Sequence, residues 1–261
     1  MNQNPISTVA ERLLNARRVT ALTGAGVSAA SGIPTFRGAG GVWSQVKAEN
    51  LATPEAFDRD PKLVWEWYNW RRGIIAGVAP NAAHDVLARW TREWPHFTLI
   101  TQNVDGLHER AGAGRLLRLH GSIWHVRCRN RCPNGRNDWR DDRASLPQLP
   151  PACPHCGALV RPAVVWFGES LDPQVIGAAQ AATACDVFLT IGTSSLVYPA
   201  AGLTHQSRRQ GAFTVEINLE DTPESDLVDI KIQGQAEEVL RELDALMGAG
   251  PRTGCTSENQ V

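Results

Sequence analysis

A short apolar run that leads directly into a turn of small residues is the feature that most limits how this chain can fold. Residues 19–23 read as a buried β-strand, and Gly24-Ala25-Gly26 follows without a linker. Glycines at this place let a backbone approach a pyrophosphate at the start of the next helix. A second apolar run, residues 97–101, leads into Gln102-Asn103-Val104-Asp105. Because ligands bind at the carboxyl ends of strands in open parallel sheets, the two runs together predict a dinucleotide site.

Apolar runs alternate with helical patterns along most of the chain, which favours an α/β fold with a doubly wound parallel (Rossmann-like) sheet. The 261 residues suit one such domain with an insertion. The segments that read as strands are residues 19–23, 97–101, 116–120, 164–167, 186–191 and 213–218. The segments that read as helices are residues 6–17, 82–93, 173–184, 199–209 and 235–247.

Two stretches break this alternation and predict a second, smaller domain. Residues 38–80 are rich in Trp, and Pro54 and Pro61 stand where helices begin. Residues 127–161 lack a hydrophobic period and hold two close cysteine pairs, a pattern typical of structural Zn²⁺. The expected metal ligands are Cys128, Cys132, Cys153 and Cys156.

These observations predict a discontinuous chain organisation. We expect a nucleotide-binding domain of residues 1–37, 81–126 and 162–248, a small domain of residues 38–80 and 127–161 that combines a helical module with a zinc ribbon, and a flexible tail of residues 249–261.

Composition restricts the partners. The formal net charge is −1, so no overall field favours nucleic acid or an anionic membrane. No apolar run approaches the length of a transmembrane helix, and the first residues lack the pattern of a signal peptide. We expect a cytoplasmic protein that binds neither nucleic acid nor membrane. The arginines of residues 127–143 leave open a zinc-ribbon module that binds nucleic acid, although Asp138, Asp141 and Asp142 dilute that charge.

Seven motifs stand in an order that resembles the sirtuin family of NAD-dependent protein deacylases. They are residues 24–37, Gln102-Asn103-Val104-Asp105, Leu119-His120-Gly121, the four cysteines, Val164-Val165-Trp166-Phe167-Gly168-Glu169, Gly192-Thr193-Ser194-Ser195 and Glu216-Ile217-Asn218. The resemblance covers nearly the whole chain, and the ordered set is much more specific than any single motif.

The resemblance implies that NAD is a co-substrate and that His120 is the general base, because imidazole titrates near neutrality. It places Asp105 on the nicotinamide carboxamide. The expected NAD contacts are Gly24, Ala25, Gly26, Ala29, Thr35, Phe36, Arg37, Trp43, Gln102, Asn103, Val104, Asp105, Gly192, Thr193, Ser194, Asn218, Leu219, Glu220 and Ala236. Considered by themselves, Asn103 and Asp105 could equally cap a turn, and a lone histidine is more often structural.

Within the family, the chain is most similar to the class III branch, which removes succinyl, malonyl or glutaryl groups and, more weakly, acetyl groups from lysine. Tyr68 and Arg71 lie three residues apart on a predicted helix and so share one face. A guanidinium and a phenol can together bind a carboxylate, although a surface arginine beside a packed aromatic is the structural alternative. Ala39 is expected to leave room for the longer acyl chain. Acylated-lysine protein substrates are expected to pair with Val165, Phe167, Gly168 and Glu169 as an added strand.

The resemblance further implies that the acyl oxygen attacks the nicotinamide ribose, so that nicotinamide and 2′-O-acyl-ADP-ribose are released. Three other interpretations remain open. The same NAD cleavage could transfer ADP-ribose to protein. Gly-x-Gly-x-x-Ala also occurs in hydride-transferring dehydrogenases, although the acidic strand end expected about 20 residues later is missing here. Finally, the glycine turn alone could be a packing device in any α/β protein.

Overall fold

The computed structural model of the protein describes residues 4–35, 48–130, 132 and 138–248. The strands in these residues are β1 (Val19–Thr23), β2 (Phe97–Thr101), β3 (Leu116–Arg118), β4 (Gly121–Cys128), β5 (Trp139–Arg140), β6 (Val160–Val164), β7 (Val187–Ile191), β8 (Phe213–Asn218) and β9 (Ile230–Gln233). The α-helices are α1 (Pro5–Asn15), α2 (Ala48–Leu51), α3 (Pro54–Arg59), α4 (Pro61–Ala76), α5 (Ala82–Glu93), α6 (Leu107–Arg110), α7 (Pro173–Ala182), α8 (Gly202–Arg209) and α9 (Ala236–Met247). A 3₁₀ helix covers Ala25–Ser31.

The main sheet has six strands in the order β3-β2-β1-β7-β8-β9, and every neighbouring pair is parallel. Apolar residues of α1, α5 and α9 pack on one face, including Leu13, Leu87 and Leu240. Apolar residues of α7 and α8 pack on the other face, including Ala179 and Leu203. Helices on both faces explain why the strands are apolar throughout rather than alternating. The prediction of a doubly wound parallel sheet is confirmed.

The strand order places a crevice at the middle of this sheet. From β1 the chain moves outward through β2 and β3, and it then returns to β7 on the other side of β1. The connections after β1 and β7 therefore diverge, which opens a ligand-binding crevice outside the carboxyl ends of these two strands. The two small-residue turns expected to bind a nucleotide follow these two strands.

A smaller unit combines α3 and α4 with an antiparallel sheet ordered β5-β4-β6. As predicted, Pro54 and Pro61 begin the two helices. Thr53 and Asp60 precede them, and each side chain accepts a backbone N–H of the first turn. The apolar residues of this unit, among them Trp65, form a core of their own.

The structure corrects two predicted strands. Residues 164–167 were expected in the parallel sheet, but the strand is β6 and pairs antiparallel with β4. His120 was expected to end a strand, yet β3 stops at Arg118 and His120 lies in the turn before β4. The turn needs Gly121, because φ is +78° there and a Cβ would lie 2.2 Å from the Ala163 oxygen.

The second sheet runs from Gly121 to Val164, so residues 121–126 and 162–164 belong to it rather than to the nucleotide-binding sheet. The division of the chain into domains at the expected boundaries stays a prediction. Among the helices that the structure describes, none is both long and apolar enough to cross a bilayer.

Candidate functional site

The turns after β1 and β7 are in direct backbone contact. The Gly26 N–H donates to the Gly192 carbonyl at 2.8 Å, and the Gly24 N–H donates to the Ile191 carbonyl at 3.0 Å. A Cβ at Gly24 would lie 2.6 Å from the Thr193 Cβ, and one at Gly26 would lie 2.8 Å from the Gly192 Cα. These glycines are therefore required for packing between the two turns, whatever ligand lies above them. Ala29 is exposed at the end of the same 3₁₀ helix, and Thr35 is half-buried.

A buried polar network joins the first turn to the end of β2. The Ser28 hydroxyl donates to Asp105 Oδ2 at 2.8 Å, and Asn103 Nδ2 donates to Ser28 Oγ at 3.2 Å and to the Gly24 carbonyl at 3.0 Å. The other Asp105 oxygen accepts the Leu107 N–H at the start of α6. Burial raises the pKa of Asp105. Ser28 lies inside the 3₁₀ helix, and its hydroxyl fixes Asp105.

A buried histidine determines which groups of this network donate a hydrogen bond and which accept one. The Asn81 backbone N–H donates to His84 Nδ1 at 3.2 Å, and His84 Nε2 lies 3.2 Å from Ser28 Oγ. Burial lowers the pKa of His84 to about 4, so the ring is neutral at pH 7 and carries its hydrogen on Nε2. Ser28 thus accepts from His84 and Asn103 and has its own proton left for Asp105.

A second histidine lies beneath the first. His108 is buried, its Nε2 is 3.0 Å from Thr23 Oγ1, and its ring centroid is 4.9 Å from that of His84. Burial, with a smaller contribution from His84, lowers the pKa of His108 to about 3. Its Nδ1 is buried without a hydrogen-bond partner among the described residues. The floor of the site is therefore two neutral imidazoles.

His120 stands at the rim of the crevice. Its Nδ1 lies 2.9 Å from the Gln102 carbonyl oxygen, which can only accept, so Nδ1 carries the proton and Nε2 keeps a free lone pair. Burial lowers the pKa of His120, partly offset by that hydrogen bond. The ring is half-buried, which leaves Nε2 able to act as a base in neutral solution.

The ends of β7 and β8 complete the crevice. Gln102 Nε2 donates to Thr193 Oγ1 at 3.0 Å, and Asn218 Nδ2 donates to the Thr193 carbonyl at 3.0 Å. Thr193 therefore links the expected nicotinamide and adenosine ends of the site. Among the other expected contacts, Gly192, Val104 and Ala236 are buried, Ser194 is half-buried, and Leu219 and Glu220 are exposed.

Helix α4 brings Tyr68 and Arg71 together as its spacing predicts. Tyr68 is fully buried, and Trp166 Nε1 donates to its hydroxyl oxygen at 2.9 Å. Arg71 is half-buried, with its guanidinium carbon 4.9 Å from the Trp67 ring centroid. Burial lowers the pKa of Arg71, while the nearby Tyr68 and Asp105 raise it. The arginine is therefore influenced electrostatically by both the tyrosine and the Asp105 carboxylate.

The segment after β6 runs beside this helix. Val165 is half-buried and donates its N–H to the His120 carbonyl, whereas Phe167 and Gly168 are exposed. The Glu169 carboxylate pairs with Arg161 at 2.5 Å and accepts the Trp166 N–H. That carboxylate is therefore committed within the protein.

Three of the four predicted metal ligands form a cluster. The sulfurs of Cys128, Cys153 and Cys156 all lie within 4.8 Å of one another, and the Cys128–Cys156 distance is 3.5 Å. Cys132 is buried in the same core but does not join this group. The His155 backbone N–H lowers the pKa of Cys153 to about 7, which favours a thiolate. Zn–S bonds of about 2.3 Å in a tetrahedron place sulfurs under about 4 Å apart, which the Cys128–Cys156 pair meets, and thiolates are donors that zinc prefers.

Four predicted site residues lie outside the described residues. They are Phe36, Arg37, Ala39 and Trp43. Their roles stay predictions.

Comparison with known proteins now decides the family. The Sir2 family model matches residues 24–199. The chain belongs to the Sir2 family, the sirtuins. The "NAD-dependent protein deacylase" of Aquifex aeolicus is 49% identical over 226 residues, which cover 86% of this chain and 93% of that protein. The protein of the same name from Aeropyrum pernix is 46% identical over 237 residues, or 90% of this chain and 95% of that one.

Solved sirtuin structures share the fold. A Sir2 homologue in complex with NAD superimposes with a TM-score of 0.85 at 43% identity, covering 90% of this chain and 91% of that one. A Sir2 enzyme with a deacetylated p53 peptide and 3′-O-acetyl ADP-ribose gives a TM-score of 0.80 at 28% identity, covering 91% and 96%.

Three parts of this sirtuin site lie outside the residues that the sequence predicted. His84 had no support as a site residue, although the Asn81-x-x-His84 spacing at a helix start was a visible capping signal. The indole N–H of Trp124, which donates to the Asp105 carbonyl at 2.6 Å, left no signal in the sequence. Neither did the contact between Trp166 and Tyr68.

The buried histidines predict a pH-dependent stability. Protonated His108 is disfavoured in the fold, where its pKa is about 3, but forms freely on unfolding, near its ordinary value of 6.5. The contribution of neutral His108 to the free energy of unfolding is therefore complete above pH 6.5 and is lost as pH falls toward 3. At pH 5 this loss is on the order of 2 kcal/mol. Urea unfolding at pH 7 and at pH 5 gives two free energies of unfolding. The difference between them should be smaller in His108→Gln than in the wild type by about this amount.

His96→Gln is the control, because His96 is exposed. It should leave the difference between pH 7 and pH 5 as in the wild type. If His108→Gln behaves like His96→Gln, the neutral buried state of His108 is wrong.

Proposed function

We propose that this sirtuin is an NAD-dependent protein-lysine deacylase that prefers succinyl, malonyl and glutaryl groups to acetyl. Two lines support the proposal. The similar relatives carry the name of NAD-dependent protein deacylases. Within the fold, Tyr68 and Arg71 lie three residues apart on α4, and the half-buried guanidinium acts electrostatically on the phenol. That half-buried guanidinium is the observation that carries the acyl preference.

The crevice fits NAD by the chemistry of its donors. Amide, hydroxyl and carboxylate groups converge at the strand ends. The contact between the two glycine turns keeps their backbones close together beneath these groups. NAD supplies the electrophilic ribose that accepts the acyl group and releases nicotinamide. Asn103 and Asp105, held by Ser28, would bind the carboxamide of nicotinamide. Thr193 and Asn218 would bind the adenosine side.

His120 performs the proton transfer in this proposal. Its Nδ1–H is tied to the Gln102 carbonyl, so Nε2 alone can take a proton from a ribose hydroxyl. Because burial lowers its pKa, the ring is in the neutral form that a base requires at pH 7. The anchored ring also loses little rotational freedom when it acts.

Arg71 would bind the carboxylate at the end of the acyl chain. Its guanidinium can make two parallel charge-assisted hydrogen bonds to such a group, and Tyr68 could add a third. A half-buried site weakens competition from water, so the pairing discriminates strongly against acetyl, which has no charge to offer. The exposed residues Phe167 and Gly168 would contact the peptide.

We also propose that the cysteine cluster holds one structural zinc ion through Cys128, Cys132, Cys153 and Cys156. Four thiolates close the coordination shell, so the metal stabilises the small unit and takes no part in the reaction.

Cys153→Ser tests the zinc site. The variant should lose zinc and unfold at a markedly lower temperature, because zinc binding contributes directly to folding free energy. Elemental analysis and thermal unfolding measure the two effects. Cys185→Ser is the matched control. Cys185 is a buried cysteine in the core of the six-stranded sheet, with its sulfur 3.5 Å from Ser207 Oγ. Full zinc in Cys153→Ser, or none in the wild type, would refute the site.

Arg71→Met tests the acyl preference. The kcat/KM for a succinyl-lysine peptide should fall about 10- to 100-fold, the value of a charge-assisted hydrogen bond, while that for the acetyl peptide changes less than about threefold. For the succinyl peptide, the kcat/KM of Arg71→Lys should lie between those of the wild type and Arg71→Met, because lysine keeps the charge and loses the planar fork. The measurement is peptide turnover with NAD over acetyl, malonyl, succinyl and glutaryl substrates.

His120→Tyr serves as the inactive control in the same panel. Equal losses on the acetyl and succinyl peptides in Arg71→Met would remove Arg71 from acyl selection.

A further inference from the structure

The Tyr68 hydroxyl has one hydrogen-bond partner in the described part of the chain, and that partner is a donor. Trp166 Nε1 lies 2.9 Å from the phenolic oxygen, and both side chains are buried. An indole N–H can only donate, so the Tyr68 oxygen must accept. The phenolic proton is then left for another group, and no described residue accepts it.

Trp166 is held firmly in this position. The guanidinium carbon of Arg161 lies 3.3 Å from its ring centroid, and the Phe57 ring packs against it at 5.3 Å. Glu169 pairs with Arg161 and accepts the Trp166 backbone N–H at 2.9 Å. Ring and backbone are thus fixed by the same ion pair, so the indole cannot turn away from Tyr68 without breaking it.

The surroundings of Tyr68 favour an anionic acceptor for its proton. Burial raises the pKa of Tyr68, so the phenol keeps its proton at neutral pH. Arg71 and Arg161 both act on the phenol electrostatically, and Glu169, which also acts on it, is already paired with Arg161. A carboxylate from a ligand can accept the unused phenolic proton in these surroundings.

We infer that Trp166 is a positioning residue for acyl selectivity, because it makes the Tyr68 hydroxyl an obligate donor to the carboxylate of an acidic acyl group. The inference rests on the proposed function and adds a residue that acts through the Tyr68 hydroxyl.

Trp166→Phe tests this inference. The substitution keeps a ring under Arg161 and removes the N–H. The kcat/KM for the succinyl peptide should fall about 3- to 10-fold, the worth of one hydrogen bond, mainly through KM. The KM for NAD and the kcat/KM for the acetyl peptide should change less than about twofold. In a Tyr68→Phe background the same substitution should cost nothing further on the succinyl peptide, because the hydroxyl it orients is gone.

Trp65→Phe is the matched control. Trp65 is buried in the same core, and its Nε1 donates to the Val160 carbonyl at 2.7 Å, so the variant also loses a ring and an indole hydrogen bond. It should lower the unfolding temperature and leave the succinyl-to-acetyl ratio unchanged. An unchanged ratio in Trp166→Phe, or an equal shift in Trp65→Phe, would overturn the inference. A wild-type enzyme without desuccinylase activity would instead overturn the proposed acyl preference on which it rests.

Discussion

The backbone contact between the turns after β1 and β7 is the constraint on which the site depends. Gly26 donates to the Gly192 carbonyl, and the Gly192 N–H donates in turn to Ile217 at the end of β8, at 2.9 Å. Three strand ends are thereby joined without intervening side chains. Beside these joined backbones, Asn103 donates to the Gly24 carbonyl and Asn218 donates to the Thr193 carbonyl. The crevice is therefore formed by the strand order and by glycines that lack a Cβ, and the reactive side chains line a crevice that already exists.

Much of this arrangement could be predicted from the sequence. Helix α5 and strand β8 match their expected bounds, because each is an apolar pattern with a clear break at both ends. Polar residues that directly follow the buried strands stand out in the sequence in the same way, and they mark the position of the crevice. The direction of β6 could not be predicted, since a continuous apolar run fits a parallel or an antiparallel partner equally well. Nor could the role of His84, which depends on Ser28, 56 positions away.

Indole N–H groups connect the small unit to the crevice, which gives a physical reason for the richness of the chain in Trp. Trp124 holds the Asp105 carbonyl, and Trp166 holds the Tyr68 hydroxyl. Arg72 is buried between the rings of Trp65 and Trp124, and its guanidinium donates twice to the Ile123 carbonyl. The expected acyl site and the expected nicotinamide site therefore share one rigid set of aromatic contacts.

We have proposed that this crevice uses NAD to take an acidic acyl group from lysine. Product analysis by mass spectrometry, with the full chain, NAD and a succinyl-lysine peptide, is the decisive measurement. The proposed function predicts nicotinamide, unmodified lysine peptide and succinyl-ADP-ribose in equal amounts. Nicotinamide release with ADP-ribose attached to peptide or protein, and with the succinyl group still on lysine, would contradict it.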